Sequence, residues 1–281
     1  MKNLIHYTND AFDFHEEVLK SKNSTKEDPT YKKRIEDLKP PVKSQFDVYD
    51  ENFAKRRLED IENFSFKESE KDDLLKLYSY KSIIIQRLKV HVTTTATNRI
   101  INTCPNCTIS EINSFDHYLP KEKYPEFVVN PKNLFPSCTK CNSHKKDNWL
   151  KDSKRLFLNL YLDSLPIEQY LFVDLTISGD VVTAVFSLKN NGAIDMGAFE
   201  LIHSHYSRLH LLERFSDNTN EVITSLENTI NAFLSELSLE KIIPTIIDKI
   251  NRDKLAFGHN YWKSILEFEL VNNLEYLKRF K

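Results

Sequence analysis

The stretch that decides the reading is Cys104-Pro-Asn-Cys107, then Phe115-Asp116-His117, Asn133-Leu134 and Cys138-Thr-Lys-Cys141-Asn142-Ser-His144-Lys145-Lys146. It holds all four cysteines of the 281-residue chain. Two Cys-x-x-Cys pairs flank an Asp-His dipeptide and two asparagines. Four thiolates complete a tetrahedral zinc shell with bonds of about 2.3 Å, and each knuckle supplies two of them. Two disulfides are the alternative. Residues 1–10 are polar and lack the apolar core of a signal peptide, and no apolar run is long enough to span a bilayer. The expectation is a cytoplasmic protein whose thiols stay reduced, which favours zinc over disulfides. With no open coordination position, such a zinc is structural and Cys104, Cys107, Cys138 and Cys141 are its ligands.

The groups between the knuckles suit hydrolysis of a phosphodiester. That reaction needs an activated water, neutralisation of charge at the phosphate and help for the leaving oxygen. A hard divalent cation such as Mg²⁺ supplies much of this and prefers oxygen ligands. Asp116 is a carboxylate, Asn142 offers an amide oxygen, and His117 can accept a proton near neutral pH. Residues 115–117 read as a short strand that ends before Pro120, residues 133–135 as a second, and residues 136–148 as a turn followed by a helix. On a strand Asp116 and His117 point to opposite faces, so one site can use both only where the strand bends or ends.

In this order and spacing the segment resembles the HNH endonucleases, also called ββα-metal or His-Me finger nucleases, in their zinc-bearing subgroup. The resemblance rests on Asp116-His117, Pro120, Asn133-Leu134, and Cys138-x-x-Cys141-Asn142-x-x-Lys145, with Cys104-x-x-Cys107 ahead. It implies that His117 is the general base and that Asp116 and Asn142 hold a catalytic Mg²⁺ or Mn²⁺. It also implies that Asn133 ties the loop to the histidine, and that Lys145 and Lys146 face DNA phosphate. His144 is the fallback ligand. It lies two residues from Asn142, about 200° around a helix, so the two are not expected to share one ion. The sequence departs from the family in having no glycine in residues 118–132 and in having Asn142 where histidine is common. The competing reading is a zinc-knuckle module, or an adaptor of a larger complex, that binds nucleic acid without cutting it.

The remainder of the chain bounds the function more loosely. Four glycines in 281 residues argue for a mostly helical protein, and no phosphate-binding Gly-x-x-x-x-Gly-Lys loop is present. A net charge of −2 does not suggest a protein that coats DNA electrostatically. Positive charge is local instead: Lys140, Lys145, Lys146, Lys151, Lys154 and Arg155 follow the motif, and Lys121, Lys123 and Lys132 precede it. The expected class is mainly α, α+β overall, with a small ββα zinc-stabilised module and one hairpin after it. The expected divisions are an N-terminal helical region (1–97), the nuclease module (98–155) and a C-terminal helical region (156–281).

Residues 1–20 read as a helix, 22–44 as a loop or extended arm, and 47–91 as a charged helical stretch. A hairpin is expected over 170–188, where Leu171, Val173, Leu175 and Ile177 alternate before Gly179. Helices follow over 198–215, 221–237, 239–250 with a kink at Pro244, and 255–280. His203, His205 and His210 read as surface or packing residues rather than as a metal site. Flanks this large around such a module resemble those of HNH proteins in bacterial defence or restriction systems. That likeness implies DNA as target and a regulatory subunit such as an ATPase as partner, with no membrane partner.

Overall fold

The computed structural model describes residues 1–280. The described residues form a mixed α/β protein, about half helical, with three separate two-stranded antiparallel sheets. It divides into two compact units, Asn3–Ser164 and the chain from Leu165 together with Met1–Lys2. The N-terminal helices and the cysteine-bearing segment lie in one unit, and the expected division at residue 97 falls inside it.

That unit begins with α1 (Ala11–Lys20), α2 (Tyr31–Asp37), α3 (Lys39–Lys55), α4 (Glu68–Leu75) and α5 (Ile83–Thr93). Asp10 starts α1 by accepting from the Phe12 and Asp13 amides at 2.7 and 2.9 Å. The loop expected over 22–44 is instead largely helical. Pro40 and Pro41 fall in the first turn of α3, where backbone N–H groups have no intrahelical partner, so proline there starts a helix rather than breaking one. Along α3, Val42, Phe46, Tyr49 and Phe53 form one buried stripe. The stretch read as continuously helical over 47–91 is cut after Lys55, where Arg56 takes a left-handed conformation (φ 58°), and again between α4 and α5.

Next come β1 (Ser114–His117), β2 (Leu134–Ser137) and α6 (Thr139–Lys145), then the short pair β3 (Leu150–Lys151) and β4 (Lys154–Arg155). β1 and β2 are antiparallel, with Asp116 opposite Phe135 and His117 opposite Leu134. A short 3₁₀ turn, Pro125–Phe127, lies between the strands. The Phe127 ring packs edge-on against Tyr49 at 4.9 Å and near Phe46 at 6.1 Å, which fixes that turn on α3.

The C-terminal unit holds β5 (Leu171–Ser178), β6 (Val181–Leu188), α7 (Met196–Arg208), α8 (Leu211–Ser216), α9 (Thr219–Leu234), α10 (Leu239–Phe257), α11 (Trp262–Asn272) and α12 (Leu274–Leu277). The hairpin register pairs Ser178 with Val181, with Gly179 at φ 58° in the first turn position, where a side chain would be strained. The single helix expected over 198–215 breaks at His210 (φ 51°), and that expected over 255–280 begins only after Gly258 (φ 110°) ends α10. Pro244 lies inside α10 as expected. Trp262 stacks on Phe215 at 5.3 Å in the core of this unit. Among the described residues no helix is long and apolar enough to cross a membrane.

Candidate functional site

The four cysteines are buried and form no disulfide, and their sulfurs lie within 4.8 Å of one another. The first knuckle is closed by the Cys104 amide donating to the Ser110 carbonyl (2.8 Å) and the Thr108 amide donating to the Cys104 carbonyl (2.7 Å). Cys138 caps α6, its sulfur accepting from the Cys141 amide at 3.4 Å. Cys107 Sγ and Cys138 Sγ are 3.8 Å apart. That is the edge of a tetrahedron whose centre lies about 2.3 Å from each corner, and far longer than the ~2.05 Å of a disulfide. Without a metal the sulfurs compete for protons. Cys107 is held well below the usual thiol range by the hydrogen bonds it accepts from Cys104, Cys138 and Cys141. Cys104 is held above it by its hydrogen bonds to Cys107 and Cys138. A buried group of this kind fits a structural metal ion such as zinc.

Beside this cluster, β1 ends at His117, so Asp116 and His117 reach the same space from adjacent positions. Both line a cavity of about 280 Å³ together with Asn142, Tyr78, Tyr80, Lys121, Lys146 and Asp147. His117 Nε2 is 2.9 Å from the Val128 carbonyl oxygen. A carbonyl only accepts, so Nε2 carries the proton and Nδ1 of the neutral ring is left with its lone pair. Burial pushes the imidazole down to about 3; the Val128 bond opposes this, and the Lys121 and Lys145 charges add to it. Burial conversely raises the Asp116 carboxyl above its usual range, against the pull of Lys145.

Asn133 is fully buried between the ends of the loop that joins β1 to β2. Its Oδ1 accepts from the Leu119 amide at 2.8 Å, and its Nδ2 donates to the Leu119 and Phe127 carbonyls at 3.0 and 3.3 Å. These bonds fasten the residues that follow His117 to the turn that presents the Val128 carbonyl. Asn142 lies on α6 with its amide nitrogen 3.4 Å from the Phe115 carbonyl, facing the same cavity. His144 is not among the residues that line it.

Lys145 sits differently from the phosphate-facing position expected for it. It is buried, and its ammonium donates to Asp116 Oδ1 (3.0 Å) and to the His117 carbonyl (2.8 Å). Asn142 and Lys145 are three residues apart and share one face of α6, which brings both to β1. Lys146, by contrast, is exposed and lies at the cavity. Of the basic residues expected to cluster here, Lys132 is paired with Asp50 (2.9 Å) and Arg155 with Asp163 (2.9 Å) and Glu59 (3.5 Å), whereas Lys123, Lys140, Lys151 and Lys154 are exposed.

Sequence reasoning missed Tyr78, Tyr80 and the Val128 carbonyl. The tyrosines lie in a non-periodic turn outside the motif, and a backbone carbonyl carries no mark in sequence.

No family profile matches the chain, and no solved structure matches it. It is similar to Protein ea31 of Escherichia phage lambda, 25% identical over 188 residues, which cover 62% of this chain and 63% of that protein. It is also similar to the Septu protein PtuB of Bacillus thuringiensis, 42% identical over 52 residues, which cover 17% of this chain and 19% of that protein. The chain thus spans about three fifths of the phage protein and about a fifth of the Septu protein.

Proposed function

We propose that the chain is a metal-dependent endonuclease of the HNH class that hydrolyses phosphodiester bonds in DNA, acting in defence against foreign DNA. One observation carries the reading. A buried Asp-His pair and an asparagine amide converge on one cavity, with the histidine proton held away from it by the Val128 carbonyl. The order β1, β2, α6 beside four clustered thiols supports it. The similarity to a Septu protein supports the defence role.

In this reading Nδ1 of His117 takes a proton from the attacking water while Nε2 keeps its own on Val128. Asn133 holds the two loop ends that orient the ring. Asp116 and Asn142 are the oxygen donors that would hold Mg²⁺ or Mn²⁺. Hard oxygen ligands few in number, on a cavity roomy enough for water, suit such an ion. When bound, the ion supplies charge neutralisation at the phosphate and at the leaving oxygen. Lys146 and Lys121, which border the cavity, contact the flanking phosphates, and Lys145 keeps Asp116 in place. A regulatory subunit such as an ATPase is the proposed partner, by the likeness of the large helical flanks to those of HNH proteins in bacterial defence systems.

Plasmid incubated with the purified chain and Mn²⁺ or Mg²⁺ tests the proposal, with EDTA and His117→Ala as controls. Metal-dependent strand breaks that vanish in His117→Ala are expected. A His117→Ala protein that cuts as fast as the parent would remove the mechanism. A gel shift with no breaks, even in the presence of the partner subunit, would favour a nucleic-acid-binding adaptor.

A further inference from the structure

The His117 ring is held by the bond between Nε2 and the Val128 carbonyl, and its torsion about Cβ–Cγ is otherwise set by what packs against its face. Tyr78 packs there. Its ring meets the imidazole at 4.8 Å and 75°, the edge-to-face arrangement aromatic pairs prefer. Tyr78 is itself pinned. The adjacent Leu77 is buried, and the Lys76 carbonyl accepts from Lys22 Nζ at 2.8 Å. Beyond it, the Tyr80 hydroxyl donates to the Ile112 carbonyl at 3.3 Å and the Tyr80 ring packs on Phe115 at 6.2 Å. The Gln86 side chain donates to the Tyr80 carbonyl. The turn between α4 and α5 is thus fastened to both ends of the chain segment that leads through β1.

From this geometry we infer that Tyr78 is a positioning residue for His117. Its ring lines the cavity against the imidazole and holds Nδ1 toward the reacting space. The inference rests on the nuclease reading only for its catalytic consequence. It also makes the helices before residue 98 part of the site, because the group that seats the imidazole comes from the turn between α4 and α5.

The test uses the full chain, zinc-loaded and ¹⁵N-labelled at histidine, at about pH 7, where the neutral tautomer is read directly from the ring nitrogens. The parent should show one His117 species with Nε2 protonated and Nδ1 bare. Tyr78→Ala and Tyr78→Leu should show mixed tautomers, whereas Tyr78→Phe, which keeps the ring, should retain the parent pattern. Tyr78→Leu fills the space without an aromatic ring and so covers the case in which the alanine variant fails to fold. In plasmid cleavage, kcat should fall by about tenfold or more in the alanine and leucine variants, because a displaced base is out of line with its water. KM should change by less than about threefold, and Tyr78→Phe should stay within about threefold of the parent in kcat. Unchanged ring-nitrogen signals in all three variants would overturn the inference. Loosened imidazoles in a protein that cuts no nucleic acid would uphold the seating of His117 and overturn the nuclease reading alone.

Discussion

Replacing Lys145 by methionine isolates the most consequential contact in the site. Its side chain is 5% exposed and that of its partner Asp116 is 9% exposed, so the ion pair is shielded from water. Methionine keeps most of the aliphatic volume and removes the charge and its donors. Asp116 is then a buried carboxylate with no counter-ion, and the His117 carbonyl loses its lysine donor as well. Breaking a buried pair by removing one partner costs about 3–5 kcal/mol, because the remaining charge is uncompensated.

The pH dependence gives this a signature. Burial already raises the Asp116 carboxyl, and loss of Lys145 raises it further. A carboxyl raised in the native state costs stability at high pH, where the unfolded chain ionises freely. The cost shrinks as pH falls and the native carboxyl takes up its proton. Urea denaturation of zinc-loaded protein should therefore show Lys145→Met destabilised by about 3–5 kcal/mol near pH 7 and by clearly less near pH 4. The double variant Asp116→Asn/Lys145→Met should recover much of the loss, since neither charge remains. A single variant within about 0.5 kcal/mol of the parent at both pH values would refute the buried pair.

Three further outcomes are expected. Cys138→Ser should lose bound zinc, measured by a chromophoric chelator, and should unfold at markedly lower urea, because a structural metal contributes folding free energy. Asn142→Ala should lower metal-dependent cleavage more than His144→Ala, as only Asn142 faces the cavity; the reverse order in single-turnover assays would move the ion to His144. Glu126 is fully buried in the turn that carries Phe127, and burial raises it from 4.5 to about 7. Its native form keeps the proton while the unfolded chain loses it, so stability falls as pH rises between those two values. At about 1.4 kcal/mol per pH unit this removes about 3 kcal/mol, and Glu126→Gln should flatten the decline in urea midpoints between about pH 4.5 and 7.

The local elements of the site follow from short-range rules that a sequence displays. Cysteine spacing marks the thiol cluster, the order Asp116-His117, Asn133-Leu134, Cys138 onward marks two strands and a helix, and alternation around Gly179 marks the hairpin. Boundaries were less legible where a residue's meaning depends on its neighbours in space. Residues 22–44, with Pro40 and Pro41, read as a loop or extended arm, yet the prolines start α3, and His210 takes a left-handed turn that no pattern announces.

Residue identities and spacing already told which groups could bind a metal or move a proton, because that chemistry belongs to the side chains and to the periods of strand and helix. Only tertiary packing decided what each group does with its charge. Lys145 turned inward because Asp116 is buried within its reach and an unpaired carboxylate there is costly. The proton of His117 was assigned by a carbonyl eleven residues away and the ring's orientation by a tyrosine thirty-nine residues upstream. Contacts between segments so distant in the chain exist only once those segments share a core.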